Sequence, residues 1–152
     1  MKRKSTIFAS IICGALFAAT ASFAASEHGT KAEATALLDR AIIEVKADAG
    51  AAIAKFNDPK GGFQDRDLYV FCANIGDGII VAHANIVGTD LRTLKDKNDK
   101  PFGTEMLDKA TEGTITEIEY MWPRPEGGDP VDKISRITRL GDRMCGVGYY
   151  KE

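Results

Sequence analysis

Residues 67–85, which read Asp67-Leu-Tyr-Val-Phe-Cys-Ala-Asn-Ile-Gly-Asp-Gly-Ile-Ile-Val-Ala-His-Ala-Asn85, predict two strands joined by a tight turn. The runs 68–73 and 79–81 are rich in aromatic and β-branched residues, which favour strands. The intervening residues 74–78 include asparagine, aspartate and glycine, which tolerate the positive φ that a hairpin turn requires. We therefore expect this hairpin to form the middle of a small antiparallel sheet on which the rest of the chain is built.

The first 24 residues predict an export signal. Met1-Lys-Arg-Lys4 is a basic start, residues 7–19 form an apolar run, and Ser22-Phe-Ala24 is a small-x-small site, so we expect cleavage after Ala24. The apolar run is short for a membrane span, which needs about 20 residues. A lipid anchor on Cys13 is disfavoured because a long apolar segment follows that cysteine.

The mature chain, residues 25–152, is long enough for one domain with its own core and too short for two. Lys2, Arg3 and Lys4 leave with the signal, so the 20 basic side chains fall to 17 against 22 acidic ones, and the formal net charge is −5. No basic run remains that would favour nucleic acid or an anionic membrane. These properties predict a soluble domain in the periplasm or outside the cell.

The mature chain keeps two cysteines, Cys72 and Cys145. In an oxidising compartment an even pair in a small domain favours a disulfide over two free thiols. The sequence has no C-x-x-C, no C-x-x-C-H and no H-E-x-x-H motif, and its histidines are only His28 and His83. We therefore expect no metal site and no cofactor, haem included.

Two helical stretches are predicted. Residues 31–57 form a long alanine-rich helix, and residues 57–62 end it because asparagine, proline and glycine cannot continue it. Its apolar stripe consists of Leu38, Ile42, Val45, Ala49, Ala52, Ile53 and Phe56. After the hairpin we expect a connection with one helical turn near residues 89–91 and a solvated charged turn over residues 95–100. Pro101 then opens a short helix that Gly113 ends; Phe102, Met106, Leu107 and Ala110 form its buried face.

Three further strands are predicted over residues 114–122, 131–140 and 144–150. Alternation places Ile118, Tyr120 and Trp122 on one face of the first of them. Residues 123–130 contain three prolines and two glycines, which predict a loop. The whole is an α+β fold: a five-stranded antiparallel sheet with a long N-terminal helix and a helical connection between strands 2 and 3.

These pieces, in this order, resemble the single Cache domain, an extracytoplasmic relative of the PAS fold. The resemblance covers residues 31–152, and each motif is weak alone. The matching stretches are Asp67-Leu68-Tyr69-Val70-Phe71, Asp77-Gly78, Ala82-His83-Ala84-Asn85, Gly88-Thr89-Asp90-Leu91, Leu94-Lys95-Asp96 with Lys100-Pro101-Phe102, Tyr120-Met121-Trp122-Pro123, Lys133 and Gly146-Val147-Gly148-Tyr149-Tyr150. The chain departs from the pattern at Ala84, where proline is frequent, and at Asp99, where glycine is common.

The resemblance implies a sheet order of 2-1-5-4-3, which places Cys72 and Cys145 on neighbouring antiparallel strands, where a disulfide is feasible at a twisted non-hydrogen-bonded pair. It also implies capture of a small molecule. Such domains usually sit outside a membrane receptor, whereas this sequence ends soon after its last strand. We therefore expect a stand-alone form that leaves signalling to a partner, such as a membrane receptor or kinase.

Lys133 is the strongest candidate ligand-binding residue. If Lys133, Ser135 and Ile137 face inward with Tyr120 and Trp122, an ammonium lies beside aromatic rings, which suits a small organic carboxylate. The alternative is a solvated lysine on a strand. The resemblance, which has a lysine here, favours the ligand.

Other candidate ligand-binding residues are His83 at a strand end, Tyr69 and Met106, and for each of them, as for Tyr120 and Trp122, core packing is the alternative. Gly146 and Gly148 leave room on one face of the last strand, either for a ligand or for a close helix.

Catalysis finds little support in this sequence. No serine or cysteine lies in a recognisable nucleophile setting, no glycine-rich phosphate loop is present, and Glu117 and Glu119 fall on the expected solvent face without a partner base. We therefore expect a binding domain and not an enzyme. The alternative is an accessory module that has lost its ligand and docks on a receptor or on itself, in which case the core is filled and Lys133 points outward.

Overall fold

The protein folds as a six-stranded sheet with helices on both faces. The structure is a computed structural model and describes residues 26–151. In chain order its elements are α1 (Lys31–Ala47), α2 (Ala49–Asn57), β1 (Gln64–Asp65), β2 (Leu68–Asn74), β3 (Ile80–Ala82), a 3₁₀ turn (Leu91–Thr93), α3 (Phe102–Lys109), β4 (Thr116–Arg124), β5 (Gly127–Leu140) and β6 (Arg143–Tyr150). The predicted signal peptide, residues 1–24, lies outside the described residues. Over residues 26–151, no helix is both long enough and apolar enough to span a bilayer.

The prediction of one unbroken helix over residues 31–57 is wrong, because the helix is interrupted at Asp48. Asp48 has an extended backbone (φ −158°, ψ 103°), and its carboxylate accepts a hydrogen bond from the Ala51 N–H at 3.0 Å. It therefore caps the start of α2, which is a typical role of aspartate. Thr30 caps α1 in the same way, in a capping box with Glu33.

The strand order is β1-β2-β6-β5-β4, with β3 also paired to β2, and every pair of strands is antiparallel. The five predicted strands correspond to β3-β2-β6-β5-β4, so the order implied by the family resemblance is confirmed. The additional strand is β1, only two residues long. The predicted hairpin β2–β3 forms with a bulge between Cys72 and Ala73. It lies toward one side of the sheet, and β6 occupies the middle.

The predicted loop over residues 123–130 is largely strand instead. Only Pro125 and Glu126 separate β4 from β5, and Arg124 pairs with Gly127. Gly127 and Gly128 adopt φ values of 94° and 98°, which lets the chain reverse at once. Pro123 is tolerated because β4 is the edge strand, where a missing N–H costs no ladder bond.

The charged turn over residues 95–100 is attached to this same edge. The Asp96 carboxylate accepts a hydrogen bond from the Met121 N–H of β4 at 3.2 Å. Lys100 donates to the backbone carbonyl of Glu119. The turn is exposed, as predicted, but it also occupies backbone groups that would otherwise leave the sheet edge open to pairing.

The two faces of the sheet bury two separate cores. One face, called the helix face below, packs against α1 and α2. Its buried sheet residues include Leu68, Val70, Cys72, Leu140, Cys145 and Val147. The opposite face, called the α3 face below, lies under the 3₁₀ turn and α3. Its buried residues include Tyr69, Phe71, Leu91, Phe102, Met106, Ala110, Ile118, Tyr120, Ile137 and Met144.

A disulfide joins the two cysteines. Cys72 on β2 stands directly opposite Cys145 on β6, with their Cα atoms 4.1 Å apart and both side chains fully buried on the helix face. The bond closes a loop with a sequence separation of 73 residues between two strands inside the sheet. The expected disulfide is therefore present in the structure.

Replacing both cysteines by alanine should lower the free energy of unfolding by roughly 4 kcal/mol, the chain-entropy value for a loop of this length. Urea denaturation of the purified domain measures the change. Wild-type protein treated with a reductant should lose a similar amount. Equal stability of the oxidised, reduced and double-alanine proteins would contradict a stabilising bond.

Candidate ligand-binding site

Lys133 lies in the middle of the α3 face with its side chain fully buried. In the sheet register it stands opposite Tyr120 on β4 and opposite Tyr150 on β6. Ser135 and Ile137, two and four residues further along β5, are also buried on this face. The period of two in a strand therefore places Lys133 inward, and the alternative of a solvated lysine is wrong.

Two tyrosines hold the Lys133 ammonium. Its Nζ donates to the Tyr69 hydroxyl at 2.8 Å and to the Tyr150 hydroxyl at 3.2 Å. The same nitrogen lies 4.2 Å and 4.5 Å from the centroids of the two rings, within the range of a cation–π interaction. The Tyr150 hydroxyl donates to the Pro123 carbonyl at 2.7 Å, so its oxygen is free to accept from Lys133.

The Lys133 charge has no carboxylate partner among residues 26–151, where the ion pairs involve other cations. Burial lowers the pKa of Lys133 to about 7; the negative charge of Asp67 opposes this shift and the positive charge of Arg124 adds to it. An ammonium bears three N–H groups, and the tyrosines accept two of them. The third is available for an anion.

Asp67 and Arg124 form a partly buried ion pair at one end of this face. The Asp67 carboxylate is 2% exposed and contacts the Arg124 guanidinium. The Arg124 guanidinium carbon lies 4.5 Å from the centroid of the Tyr150 ring. The ion pair therefore contacts Tyr150, which in turn contacts Lys133.

His83 follows β3 and contacts Tyr69 with its ring, at 4.7 Å between centroids in an edge-on arrangement. Its Nδ1 accepts a hydrogen bond from the Asn85 N–H at 3.0 Å, so the ring proton belongs on Nε2. Burial and the Lys133 charge lower the pKa of His83 to about 3, which keeps the imidazole neutral. The half-buried His83 also lines a shallow depression of about 470 Å³, together with Asn57, Ala84, Asn85 and Val87.

Aromatic side chains from α3 and β4 cover the rest of the face. The Phe102 ring stacks on Tyr120 at 4.1 Å and meets Trp122 edge-on at 5.4 Å. The Tyr120 hydroxyl is hydrogen-bonded to Ser135 Oγ at 2.9 Å. Met106 is buried in the same cluster. All six candidate residues thus lie at one face of the sheet: Tyr69, His83, Met106, Tyr120, Trp122 and Lys133. Tyr69 and Lys133 are in direct contact, whereas Met106 and Trp122 belong to the apolar cluster that covers the face.

Gly146 and Gly148 make room for side chains of neighbouring strands. A Cβ on Gly148 would lie 2.3 Å from Lys133 Cε and 2.6 Å from Ser135 Oγ, and one on Gly146 would lie 2.8 Å from Phe71 Cζ. The space is therefore occupied neither by a close helix nor by an open cavity. The absence of a side chain at Gly148 is the reason why the Lys133 side chain fits inside this sheet face.

Sequence reasoning missed Tyr150, Phe102, Asp67 and Arg124 as parts of the site. A signal for Tyr150 was available, because it follows Gly146 and Gly148 at a spacing of two and therefore shares their face. The Asp67–Arg124 contact joins residues 57 positions apart and has no local signal. Over the described residues, no group of three or more histidine, cysteine or acidic side chains is arranged to hold a metal ion.

The family model described as Single Cache domain 2 matches residues 15–141. No curated protein matches the sequence.

Solved structures share the fold. The methyl-accepting chemotaxis protein from Vibrio parahaemolyticus RIMD 2210633 has a TM-score of 0.65 at 22% identity, over 79% of this chain and 87% of its own. A periplasmic sensor domain of a chemotaxis protein has a TM-score of 0.59 at 22% identity, over 78% and 88%. A Cache chemosensory domain studied for carboxylic acid recognition has a TM-score of 0.57 at 20% identity, over 78% and 86%.

Replacing Gly148 by alanine should destabilise the domain by about 1–3 kcal/mol, because the new methyl group overlaps Lys133 and Ser135. Urea denaturation measures the loss. Gly76→Ala is the matched control, since a Cβ at Gly76 meets nothing within 4 Å. If both variants were as stable as the wild type, the close approach of β6 to the Lys133 side chain would be wrong.

Proposed function

Because its family model covers residues 15–141, the chain belongs to the single Cache domain family, and from this membership we propose that it captures a small organic carboxylate at Lys133. Cache domains are extracytoplasmic sensor modules that bind small molecules. The observation that carries the proposal is the buried Lys133 ammonium, which contacts two phenols and no carboxylate in the described chain.

The energetics of the site favour an anionic ligand. A buried charge is costly unless a partner of opposite charge or several hydrogen bonds compensate it. Phenol oxygens and aromatic faces compensate the ammonium only in part, which is why burial lowers the pKa of Lys133 to about 7. A ligand carboxylate would supply the missing charge and accept the third N–H.

The neighbouring groups suit the remainder of such a ligand. Tyr69 and the His83 Nε2–H are neutral hydrogen-bond donors next to Lys133, and burial raises the pKa of Tyr69 well above its usual range, so its phenol stays protonated. Phe102, Tyr120 and Trp122 would cover an apolar body. The face is closely packed, so the ligand must be small and the cover must open to admit it.

His83 offers a route for the ligand, because this residue lines the surface depression and its ring contacts Tyr69. We also infer a periplasmic or secreted location from the predicted export signal. A membrane receptor or kinase would then be the partner that reports binding. One solved Cache relative is described in terms of carboxylic acid recognition, which agrees with the ligand class proposed for this chain.

A thermal-shift screen against small mono- and dicarboxylates, amino acids and amines tests the proposal. A carboxylate at about 100 times its Kd should add about 2.7 kcal/mol, which is several degrees for a domain of this size. Lys133→Met should abolish the shift. The variant itself should be at least as stable as the wild type without ligand, because an uncompensated buried charge is removed.

The matched control is Lys95→Met, which removes an exposed lysine in the charged turn and should leave the carboxylate shift unchanged. If Lys133→Met still bound the carboxylate, the assignment of Lys133 would be wrong. If no compound stabilised the wild-type protein, the alternative of an accessory module that docks on a protein partner would replace the proposal.

The affinity for a carboxylate should fall as the pH rises through about 7, because only the protonated Lys133 attracts an anion. Above that value each pH unit should weaken binding about tenfold. Calorimetric titration with acetate between about pH 6 and about pH 9 measures the profile. A flat profile over this range would contradict an anion bound by Lys133.

The stability of the ligand-free protein should change with pH in the opposite sense. In the unfolded chain Lys133 keeps its ordinary pKa of 10.5, whereas in the folded protein the pKa is about 7. Between these values the unfolded state binds more protons, so the Lys133 contribution to the free energy of unfolding rises with pH. Lys133→Met should remove this rise, which urea denaturation at several pH values can measure.

A further inference from the structure

We propose that the Asp67–Arg124 ion pair is a positioning element for the anion-binding lysine: it fixes Tyr150 and through Tyr150 sets the place of the Lys133 ammonium, while the two charges of the pair act on that ammonium directly. The inference rests on the proposed function and goes beyond it, because neither residue touches Lys133.

Asp67 is held from three directions. Its Oδ1 accepts a hydrogen bond from the Gly29 N–H at 2.7 Å, and its Oδ2 lies 3.3 Å from His28 Nδ1 and in contact with Arg124. Since the carboxylate is almost fully buried, these contacts leave it little freedom to move. Asp67 therefore provides a fixed anchor for the Arg124 guanidinium, and for the segment just before α1.

Arg124 and its neighbour Pro123 hold Tyr150 at two points. The Arg124 guanidinium packs over the Tyr150 ring, and the Pro123 carbonyl accepts the Tyr150 hydroxyl proton at 2.7 Å. The ring is thereby fixed on its face, and the orientation of the hydroxyl is fixed as well. A shift of the end of β4 would change both contacts together.

The fixed position of Tyr150 in turn fixes the position of Lys133. Because the hydroxyl proton points to Pro123, the oxygen presents a lone pair to Lys133 Nζ at 3.2 Å. Lys133 Nζ and the Arg124 guanidinium carbon each lie 4.5 Å from the centroid of the Tyr150 ring. The Tyr150 ring therefore contacts two cations, Lys133 and Arg124. Asp67 compensates the positive charge of Arg124.

The pair also acts on the Lys133 charge with two opposing signs. Burial is the largest influence and lowers the pKa of Lys133, Asp67 raises it, and Arg124 lowers it further. The titratable and charged side chains around Lys133 lie on β2, β4 and β6 or directly beside β2 and β3. They are Asp67, Tyr69, His83, Tyr120, Arg124 and Tyr150.

The first experiment measures the Lys133 titration midpoint in the ligand-free protein by NMR of the lysine side-chain nitrogens, with the Lys133 signal assigned by its loss in Lys133→Met. Arg124→Gln should move the midpoint up, because a neighbouring positive charge is removed, and Asp67→Asn should move it down. A purely structural role would not produce shifts of opposite sign.

The second experiment separates position from charge by calorimetric titration with acetate. Arg124→Lys keeps the positive charge but loses the planar group over Tyr150, so its midpoint should stay near the wild-type value while acetate affinity falls about tenfold. Tyr150→Phe removes the hydroxyl that Lys133 contacts and should weaken acetate to a similar degree. Tyr149→Phe is the control, because Tyr149 packs toward the helix face and should bind acetate normally.

Opposite midpoint shifts together with weak acetate binding by Arg124→Lys support the proposal. The proposal is overturned if the titration midpoints of Arg124→Gln and Asp67→Asn both equal the wild-type value. It is also overturned if Arg124→Lys and Tyr150→Phe bind acetate as tightly as the wild type. If the wild-type protein bound no carboxylate at all, the proposed function would fail, and the NMR titration alone would decide whether the pair governs Lys133.

Discussion

The burial of the Lys133 ammonium is the constraint on which the arrangement of the α3 face depends. A charge without exposed surface needs polar partners close by, and the sheet supplies them from the strands on both sides: Tyr69 from β2 and Tyr150 from β6. It also needs space, which Gly148 provides by having no side chain. The strands β2 and β6 therefore provide both the polar partners and the space that the buried Lys133 side chain needs.

The opposite face of the sheet carries none of this polar chemistry and holds the domain together. Its apolar residues pack against α1 and α2, and the disulfide between Cys72 and Cys145 joins β2 to β6 there. The same two strands present Tyr69 and Tyr150 on the other face. Because side chains alternate along a strand, the bond that fixes β2 against β6 also fixes the two tyrosines that hold Lys133.

The sequence predicted the parts of the fold that depend on local pattern. Alternation placed Lys133, Ser135 and Ile137 on one strand face but left open whether that face is buried. The family resemblance favoured the buried face and implied the correct sheet order, and together with the even number of cysteines it led to the disulfide. The break at Asp48 was missed because an apolar stripe runs through it, and the short turn at Pro125 was missed because prolines and glycines were taken as a loop. Contacts distant in sequence, such as Asp67 with Arg124, cannot be predicted from spacing.

In the proposed function, the placement of Asp67 is what leaves the Lys133 ammonium without a carboxylate partner and so able to bind an added anion. A domain that required only stability would pair its buried lysine with its buried carboxylate, since both lie close enough for the charge of one to alter the pKa of the other. Here the carboxylate is bound to Arg124 and to the Gly29 N–H instead. The ammonium is left with neutral partners, and it is this incomplete compensation that a ligand carboxylate would complete.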